Sequence, residues 1–270
     1  MKNILMVLVL FLFWGCDCIV PPTYTCPNRT FESSFESQSD FDGFYVENRS
    51  EYASAQELSP EQVKSGTYAH KAWITQARDT DNESTPTYLP HRAYPTVQFQ
   101  KTTHGIYRTP ALVTLWVYLD MTLTDRASGQ IDDWFSFITL SPDACDSWSR
   151  TVLVNIAPDG FARLVHVPKQ GEQNYIYQTS TAGEKFPYRQ WVRLNVYIDF
   201  DATNGYAKVW QDGTLISHAR VEGGKGGLAQ AHFGLYASAA LSNGTIYNDD
   251  LRIKEVANEA EAQTLIDGGN

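Results

Sequence analysis

Residues Trp191–Gly213 read WVRLNVYIDFDATNGYAKVWQDG, two alternating runs separated by a polar turn. One face of the first run carries Val192, Leu194, Val196, Ile198 and Phe200. The opposite face carries Trp191, Arg193, Asn195, Tyr197 and Asp199. Asn204-Gly205 is a turn dipeptide, and the second run begins at Tyr206. This period of two predicts an antiparallel β-hairpin with one face on a core and an aromatic-rich face directed outward.

Further runs of this kind follow one another along the chain, separated by Pro, Asp and Gly. They are Tyr68–Gln76, Tyr94–Lys101, Leu112–Met121, Trp134–Leu140, Thr151–Ile156, Phe161–Val167, Asn174–Gln178, Ala231–Ala237 and Tyr247–Ile253. A helical pattern is found at Asn258–Ile266, with Asn258 as N-cap and Glu261 three residues later. Because no helices alternate with the strands, a parallel α/β sheet is excluded. The sequence predicts an all-β jelly-roll sandwich of two antiparallel sheets over 31–257 and a short helical tail at 258–270.

The composition favours a carbohydrate ligand and argues against a nucleic acid. The 270 residues carry a formal net charge of -10, which disfavours a protein that wraps a polyanion. Aromatic residues make up 13% of the chain, with 15 Tyr and 7 Trp. Their flat faces suit stacking on sugar rings, although aromatic residues also favour strands in general. We expect a polysaccharide or glycan partner, no nucleic acid, and a monomer.

The amino terminus has the pattern of an export signal. Met1-Lys2 is followed by the apolar run Ile4–Trp14, which is shorter than the roughly 20 residues of a membrane span. Gly15-Cys16 resembles the lipobox of bacterial lipoproteins, so residues 1–16 are predicted to be a signal peptide that leaves a lipidated Cys16. Ordinary cleavage nearby would instead give a secreted protein. Either route leads to an extracytoplasmic space, with 17–30 as a tether and a lipid anchor as the expected membrane attachment.

Three cysteines remain after Cys16. Cys18 and Cys26 could close a small loop and leave Cys145 alone, but the spacing does not determine the pairing. Neither a CxxC pair nor a His-Cys spacing indicates a metal site.

Several stretches together resemble the concanavalin A-like lectin/glucanase superfamily, and most closely the branch of laminin G-like domains and jelly-roll polysaccharide lyases such as heparin lyase I. They are FES at 31–33, SGTYAHKAW at 65–73, WVRLNVYIDF at 191–200, GYAKVWQDG at 205–213, HFGLY at 232–236 and YNDDLRI at 247–253. The resemblance spans most of residues 31–256 and implies the sandwich fold. It leaves the activity open, because this fold carries lectins, hydrolases, lyases and inert modules.

The resemblance distinguishes two enzyme classes. Glucanases of the superfamily carry an ExDxxE strand that directs its carboxylates into one cleft. Neither Gln130–Trp134 nor Asp199–Asp201 has this pattern, so an enzyme with this sequence is expected to be a lyase and not a glycoside hydrolase.

Elimination from a uronate needs a base, an acid and a group that neutralises the carboxylate. Jelly-roll lyases use Arg, Gln, His and Tyr, and the resemblance implies a catalytic set of His91, Arg92, Tyr94, Gln98, His232 and Tyr236. Either histidine would act as base and either tyrosine as proton carrier, while Arg92 and Gln98 would hold the carboxylate. Outward polar and aromatic side chains are predicted as carbohydrate contacts, namely Gln100, Trp116, Tyr118, Trp134 and Gln230. The sequence leaves open whether their strands are neighbours in one sheet.

A structural calcium ion is also implied by the resemblance. It would join the first and last strands through Glu32 and Asp250, with the Ser65-Gly66 backbone nearby. Calcium accepts such mixed oxygen ligands, and a solvated acidic turn is the alternative. The elimination itself requires no cofactor.

Three functions remain open from the sequence. The leading one is a secreted or lipid-anchored protein that binds polysaccharide. Its enzyme version is a lyase that cleaves uronate glycans. The third is a structural or adhesive surface protein without a sugar site, whose outward aromatic residues are covered by loops or by a protein partner.

Overall fold

The computed structural model describes residues 29–41, 46–51, 53–78, 90–102, 105–126, 132–144, 147–169, 172–177 and 184–269. The predicted signal segment, Cys16, and the cysteines Cys18, Cys26 and Cys145 lie outside these ranges, so export, lipidation and disulfide pairing stay predictions. In the described part, no helix has the length and apolar character needed to cross a bilayer.

Within these ranges the chain forms seventeen strands and one α-helix. The first nine strands are β1 Thr30–Ser33, β2 Val46–Glu51, β3 Ser54–Ser59, β4 Ala69–Ile74, β5 His91–Gln98, β6 Tyr107–Arg108, β7 Ala111–Asp120, β8 Phe135–Ser141 and β9 Thr151–Ile156. The others are β10 Ala162–Lys169, β11 Glu172–Tyr177, β12 Trp191–Asp199, β13 Tyr206–Gln211, β14 Thr214–Arg220, β15 Gly227–Leu228, β16 Gln230–Ala237 and β17 Gly244–Glu255. Helix α1 is Glu259–Asp267, and short 3-10 turns occur at Gln38–Phe41 and Phe99–Lys101.

Most strands belong to two antiparallel sheets. The eight-stranded sheet has the order β14-β13-β12-β7-β17-β4-β3, and β1 also pairs with β17. The seven-stranded sheet has the order β11-β10-β9-β8-β16-β5-β2, while β6 and β15 form a separate pair. One core cluster draws side chains from both sheets. This arrangement confirms the predicted all-β jelly-roll sandwich.

The hairpin formed by β12 and β13 lies inside the eight-stranded sheet, with β7 on its other side. Its inward side chains Leu194 and Val196 are fully buried in the core. The carboxylate of Asp201 holds the turn by accepting hydrogen bonds from Thr203 N at 2.9 Å and Asn204 N at 2.7 Å. The alternation in the sequence therefore reports the true inward and outward faces of this hairpin.

The core fills the space between the sheets. Leu115 and Leu119 enter it from β7, and Phe233 and Leu235 enter it from β16, all fully buried. Burial of a side chain of this size contributes roughly 1.5–3 kcal/mol. Because alternate residues point inward, their sequence neighbours occupy the outward faces of both sheets.

Helix α1 begins as the sequence predicts. Asn258 Oδ1 accepts a hydrogen bond from Glu261 N at 3.1 Å, and the Glu261 carboxylate accepts one from Ala257 N at 2.7 Å. These bonds satisfy backbone donors that have no partner within the helix. Ala262 and Ile266 are buried, so the helix packs on the outward side of the eight-stranded sheet.

Replacing Asn258 by alanine should lower the free energy of unfolding by about 1 kcal/mol, because Glu261 N would lose its acceptor. Urea unfolding followed by circular dichroism measures this change. Asn243→Ala, at an exposed position before β17, is the control and should be neutral. Equal stability of Asn258→Ala and the wild type would show that the cap contributes nothing.

Candidate functional site

The two strands that carry the predicted catalytic residues, β5 and β16, are neighbours in the seven-stranded sheet. Their register places Gln98 opposite Gln230 and Arg92 opposite Tyr236. These side chains are on the outward face, because the residues between them point into the core. With the neighbouring aromatic residues they form what we call the Tyr236 cluster, which consists of Arg92, Tyr94, Gln98, Trp134, Trp148, Gln230, His232 and Tyr236.

His232 lies at the centre of this cluster. Its ring stacks on that of Tyr94, with centroids 3.9 Å apart and planes inclined by 11°. Trp148 meets the same imidazole at 5.2 Å, and Tyr236 meets it at 5.6 Å, both edge to face. Trp134 in turn contacts the Tyr236 ring at 5.0 Å. These aromatic contacts hold the imidazole in one orientation.

Arg92 and Tyr236 form the charged end of the cluster. The guanidinium carbon lies 5.9 Å from the Tyr236 ring centroid, and the guanidinium donates a hydrogen bond to the phenol oxygen. Burial raises the pKa of Tyr236, while the charge and the hydrogen bond of Arg92 act against that shift. The phenol is therefore protonated at neutral pH and available as a proton donor beside a cation.

Three polar atoms on the same outward side have no hydrogen-bond partner among the described residues: Thr139 Oγ1, Asn155 Oδ1 and Gln230 Oε1. Thr139 lies opposite His232 in the register, and Asn155 lies one strand further, on β9. The other amide atom of Gln230, Nε2, donates to Ser147 O at 2.6 Å, which fixes the side chain. Buried polar atoms without a partner are uncommon in native proteins.

Thr139, Asn155 and Trp148 are site residues that the sequence reasoning missed. Thr139 and Asn155 occupy outward positions of β8 and β9, so their alternation was visible in the sequence. The order of strands in the sheet was not visible, and only that order places them beside β16. Trp148 lies between two strands, where no periodic signal exists.

His91 does not join the cluster, which corrects its prediction as a candidate base. Its side chain is fully buried, and the ring nitrogens lie 3.2 Å from Ser54 Oγ and 3.0 Å from Leu241 O. Adjacent residues in a strand point to opposite faces, so His91 is directed inward where Arg92 is directed outward. His232 is left as the histidine of the site.

Trp116 and Tyr118 lie apart from the cluster, whereas Gln100 follows one of its strands. Gln100 is in the 3-10 turn that follows β5. Trp116 and Tyr118 are on β7 of the eight-stranded sheet, where Tyr118 packs against Trp191 at 5.8 Å and Tyr247 at 5.7 Å. The alternation correctly predicts that the two β7 side chains point outward. The outward face of their sheet, however, is on the side of the sandwich opposite the cluster. Any sugar contact made by Trp116 and Tyr118 would therefore belong to a different surface, and their role as carbohydrate contacts stays a prediction.

The two acidic residues predicted to bind calcium have protein partners. Glu32 forms an ion pair with Arg252 at 2.9 Å, and Asp250 Oδ1 accepts a hydrogen bond from Ser65 Oγ at 2.9 Å. In the ranges that the structure describes, no group of three or more acidic, His or Cys side chains is arranged to hold a metal ion. Glu32 and Asp250 alone do not supply the six to eight oxygen ligands of calcium, so calcium binding stays a prediction.

His70 lies between the two sheets, on the core side of β16. It is fully buried, with Nε2 2.7 Å from Gln56 Oε1 and Nδ1 3.0 Å from Asn248 Nδ2. This arrangement matches a neutral ring that donates through Nε2 and accepts through Nδ1. The ring also lies against β16, where a Cβ added to Gly234 would meet His70 Cε1 at 2.8 Å. Burial lowers the pKa of His70 to about 3.

The neutral His70 predicts a loss of stability in mild acid. The folded pKa of about 3 lies below the ordinary value of 6.5, so the unfolded chain binds the proton more tightly between those values. His70 should therefore lower the free energy of unfolding by about 2 kcal/mol between pH 7.5 and pH 5. Urea unfolding at both pH values should show that His70→Gln avoids this loss. His218→Gln, at an exposed position, should keep it, and equal losses in all three proteins would contradict the prediction.

Solved structures share this fold. The endo-beta-1,4-glucuronan lyase from the fungus Trichoderma reesei matches with a TM-score of 0.51 and 14% identity over 77% of this chain and 90% of that chain. The cellulose-induced protein Cip1 matches with a TM-score of 0.53 and 14% identity over 82% of this chain and 95% of that chain. The fold is a concanavalin A-like jelly roll. Identities this low establish fold and not activity. No protein-family model matches the sequence, and no curated protein matches it.

Proposed function

We propose that this chain binds a uronate-containing polysaccharide at the Tyr236 cluster and cleaves it by β-elimination. The observation that carries the proposal is the pairing of β5 with β16, which brings Arg92, His232 and Tyr236 onto one outward face. A cation, an imidazole and a protonated phenol in mutual contact are the groups that this reaction needs.

The chemistry determines where each group must act. A base removes the proton from C5 of the uronate, next to the carboxylate. The electron pair of the C5–H bond forms the C4=C5 double bond, and the C4–O bond to the neighbouring sugar breaks. The departing oxygen takes a proton from an acid and becomes a hydroxyl group. Neutralisation of the carboxylate makes the C5 proton more acidic and stabilises the charge that develops there.

Arg92 is the residue that we assign to the uronate carboxylate. A guanidinium can bind a carboxylate through two parallel hydrogen bonds, which gives both charge and orientation. Gln98 lies on the same face of β5 but is fully buried, so it supports the floor of the site beneath Arg92 and Tyr236. Gln230, directly opposite Gln98, is also fully buried, and its Nε2 donates to Ser147 O at 2.6 Å.

His232 is the base and Tyr236 is the acid in this proposal. Tyr94 and Trp148 hold the imidazole from two sides, so its nitrogens are presented in a fixed direction. The phenol of Tyr236 is protonated at neutral pH because burial raises its pKa, so it can donate to the departing oxygen. Trp134, next to Tyr236, offers an aromatic face on which a sugar ring can stack.

The proposal includes an extracytoplasmic location, where extracellular polysaccharide is accessible. It is supported by the apolar run Ile4–Trp14 and the following Gly15-Cys16. Mass spectrometry of the protein isolated from its host would distinguish a lipidated Cys16 from an unmodified mature terminus.

The test uses the purified chain with glucuronan, alginate, polygalacturonate and hyaluronan as separate substrates, and with xylan and cellulose as neutral controls. At least one uronate polymer should yield products with the ultraviolet absorbance of the C4=C5 double bond, and the neutral polymers should yield none. A parallel binding measurement on the same polymers separates the two parts of the proposal.

The possible outcomes lead to different conclusions. Binding of a uronate polymer without new absorbance would refute the elimination and retain a carbohydrate-binding protein. An absence of binding to every polymer would refute the proposed function as a whole. It would favour a structural or adhesive role for the outward aromatic residues.

A further inference from the structure

A second candidate site lies on the opposite side of the sandwich, in the outward face of the eight-stranded sheet. It is a cavity of about 320 Å³, within the range of small-ligand sites. Its walls come from β1, β7, β12 and β17, and the residues that matter for its chemistry are Glu32, Thr114, Trp116, Arg193, Asp250 and Arg252. None of these residues belongs to the Tyr236 cluster.

A β-bulge forms one side of this cavity. The register of β17 against β7 shifts between Asp249 and Arg252, and Asp250 within this interval has a φ of 48°. A bulge locally bends a strand and redirects its side chains, and bulges are frequent next to functional sites. A residue other than glycine at positive φ is likewise uncommon outside turns and functional sites.

The charges around the cavity balance one another. Two guanidinium groups, from Arg193 and Arg252, are matched by the carboxylates of Glu32 and Asp250. Arg252 Nε lies 2.9 Å from Glu32 Oε1, and Arg193 Nη2 donates to Ile266 O at 3.0 Å, so both cations are held in place. The Lys64 ammonium beside Trp116 is a third cation, and the Asp249 carboxylate, which accepts a hydrogen bond from Lys64 N at 2.9 Å, is a third anion. The charges therefore still sum to zero, and the cavity does not favour an anion over a neutral molecule.

The floor supplies an aromatic surface and an oriented hydroxyl group. Trp116 lines the cavity, and Lys64 Nζ lies over one face of its ring, 4.0 Å from the centroid, so a ligand would meet the other face or the edge of the indole. Thr114 Oγ1 accepts a hydrogen bond from Asn195 Nδ2 at 2.8 Å, which leaves the Thr114 hydroxyl proton to donate. Asn195, which is opposite Thr114 in the register, has a buried Oδ1 without a partner among the described residues.

We infer that this cavity binds a neutral sugar unit, separately from the Tyr236 cluster. Trp116 would contact the apolar face of the ring. The vicinal hydroxyl groups would accept hydrogen bonds from the guanidinium groups and donate to the carboxylates, because a hydroxyl can do both. The charge balance separates this ligand from a uronate, for which the Arg92 side chain of the first site is the better partner. This inference does not rest on the proposed lyase activity.

The experiment follows the tryptophan indole resonances of the ¹⁵N-labelled full chain by NMR. The probes are cellotriose, xylotriose and mannotriose as neutral sugars, a glucuronan trisaccharide as the charged comparison, and calcium chloride alone. The Trp116→Phe variant identifies the Trp116 indole signal, because that signal is missing from its spectrum. At least one neutral trisaccharide should shift this signal in the wild type. Trp116→Ala should weaken its binding by about tenfold, because the ring contact is lost.

Two further variants keep the result interpretable. Asp250→Asn removes a charged acceptor while keeping a residue type that tolerates positive φ, and it should weaken binding about threefold to tenfold. Tyr236→Phe, in the other site, should leave it unchanged. A Trp116 signal that responds to calcium and to no sugar would overturn the inference in favour of a cation site. Tighter binding of the charged trisaccharide, or no shift with any neutral one, would also overturn it.

Discussion

Replacement of Tyr236 by phenylalanine should reduce the rate of uronate polymer cleavage by at least about 100-fold. The substitution removes one hydroxyl group and keeps the ring, which contacts His232 at 5.6 Å and Trp134 at 5.0 Å. Because the proposed role is proton transfer to the departing oxygen, the loss should fall on kcat and leave KM within about twofold. Initial rates of ultraviolet absorbance increase measure both constants.

A matched control separates chemistry from folding. Tyr188→Phe removes the same group from a side chain that is 38% exposed, and it should retain full activity. Thermal unfolding of Tyr236→Phe should stay close to that of the wild type, since the aromatic contacts remain. Full activity in Tyr236→Phe would exclude this residue as the acid and leave Tyr94 as the alternative proton carrier.

The position of Tyr236 shows that the sequence can predict which face of a strand a residue occupies. His232 and Tyr236 are four residues apart, so a regular strand places them on the same face. The strand is in fact irregular, because its register against β8 shifts between Phe233 and Tyr236, and Gly234 has a φ of 123°. Against β5 the register continues without a shift, so the parity deduced from the sequence holds.

The order of strands could not be predicted in the same way. Period-two alternation reports which residues share a face of one strand, and it identified outward positions on both β7 and β16. It contains no information about which strands become neighbours, since that depends on long connections between them. The sequence therefore leaves open whether Trp116 and Tyr118 share a site with His232, and the structure places β7 and β16 in different sheets.

The error at His91 has a different origin. The sequence predicts a strand that begins at Tyr94, after His91 and Arg92, whereas β5 already begins at His91. Once both residues belong to a strand they must point to opposite faces, and the histidine becomes a hydrogen-bonded core residue. Strand boundaries are weakly encoded where a polar residue can find buried partners, here Ser54 and Leu241 O.

Arg92 provides the second test with a large expected effect. Arg92→Gln keeps a hydrogen-bond donor beside Tyr236 but removes the charge, so kcat/KM for a uronate polymer should fall by about 100-fold or more. Arg92→Lys retains the positive charge but cannot form two parallel hydrogen bonds to a carboxylate, so its kcat/KM should lie between those of the wild type and Arg92→Gln. Arg220→Gln, at an exposed position on β14, is the control and should leave the activity unchanged.

The decisive comparison for Arg92 uses the same polymer with free and with methyl-esterified carboxyl groups. If the guanidinium binds the carboxylate, the wild type should prefer the free acid, and Arg92→Gln should lose that preference because a neutral amide discriminates little between acid and ester. An equal fall in activity towards both forms would mean that Arg92 only supports the fold or the position of Tyr236. The carboxylate would then have to be neutralised elsewhere, and the assignment of a uronate substrate to this face would lose its main physical support.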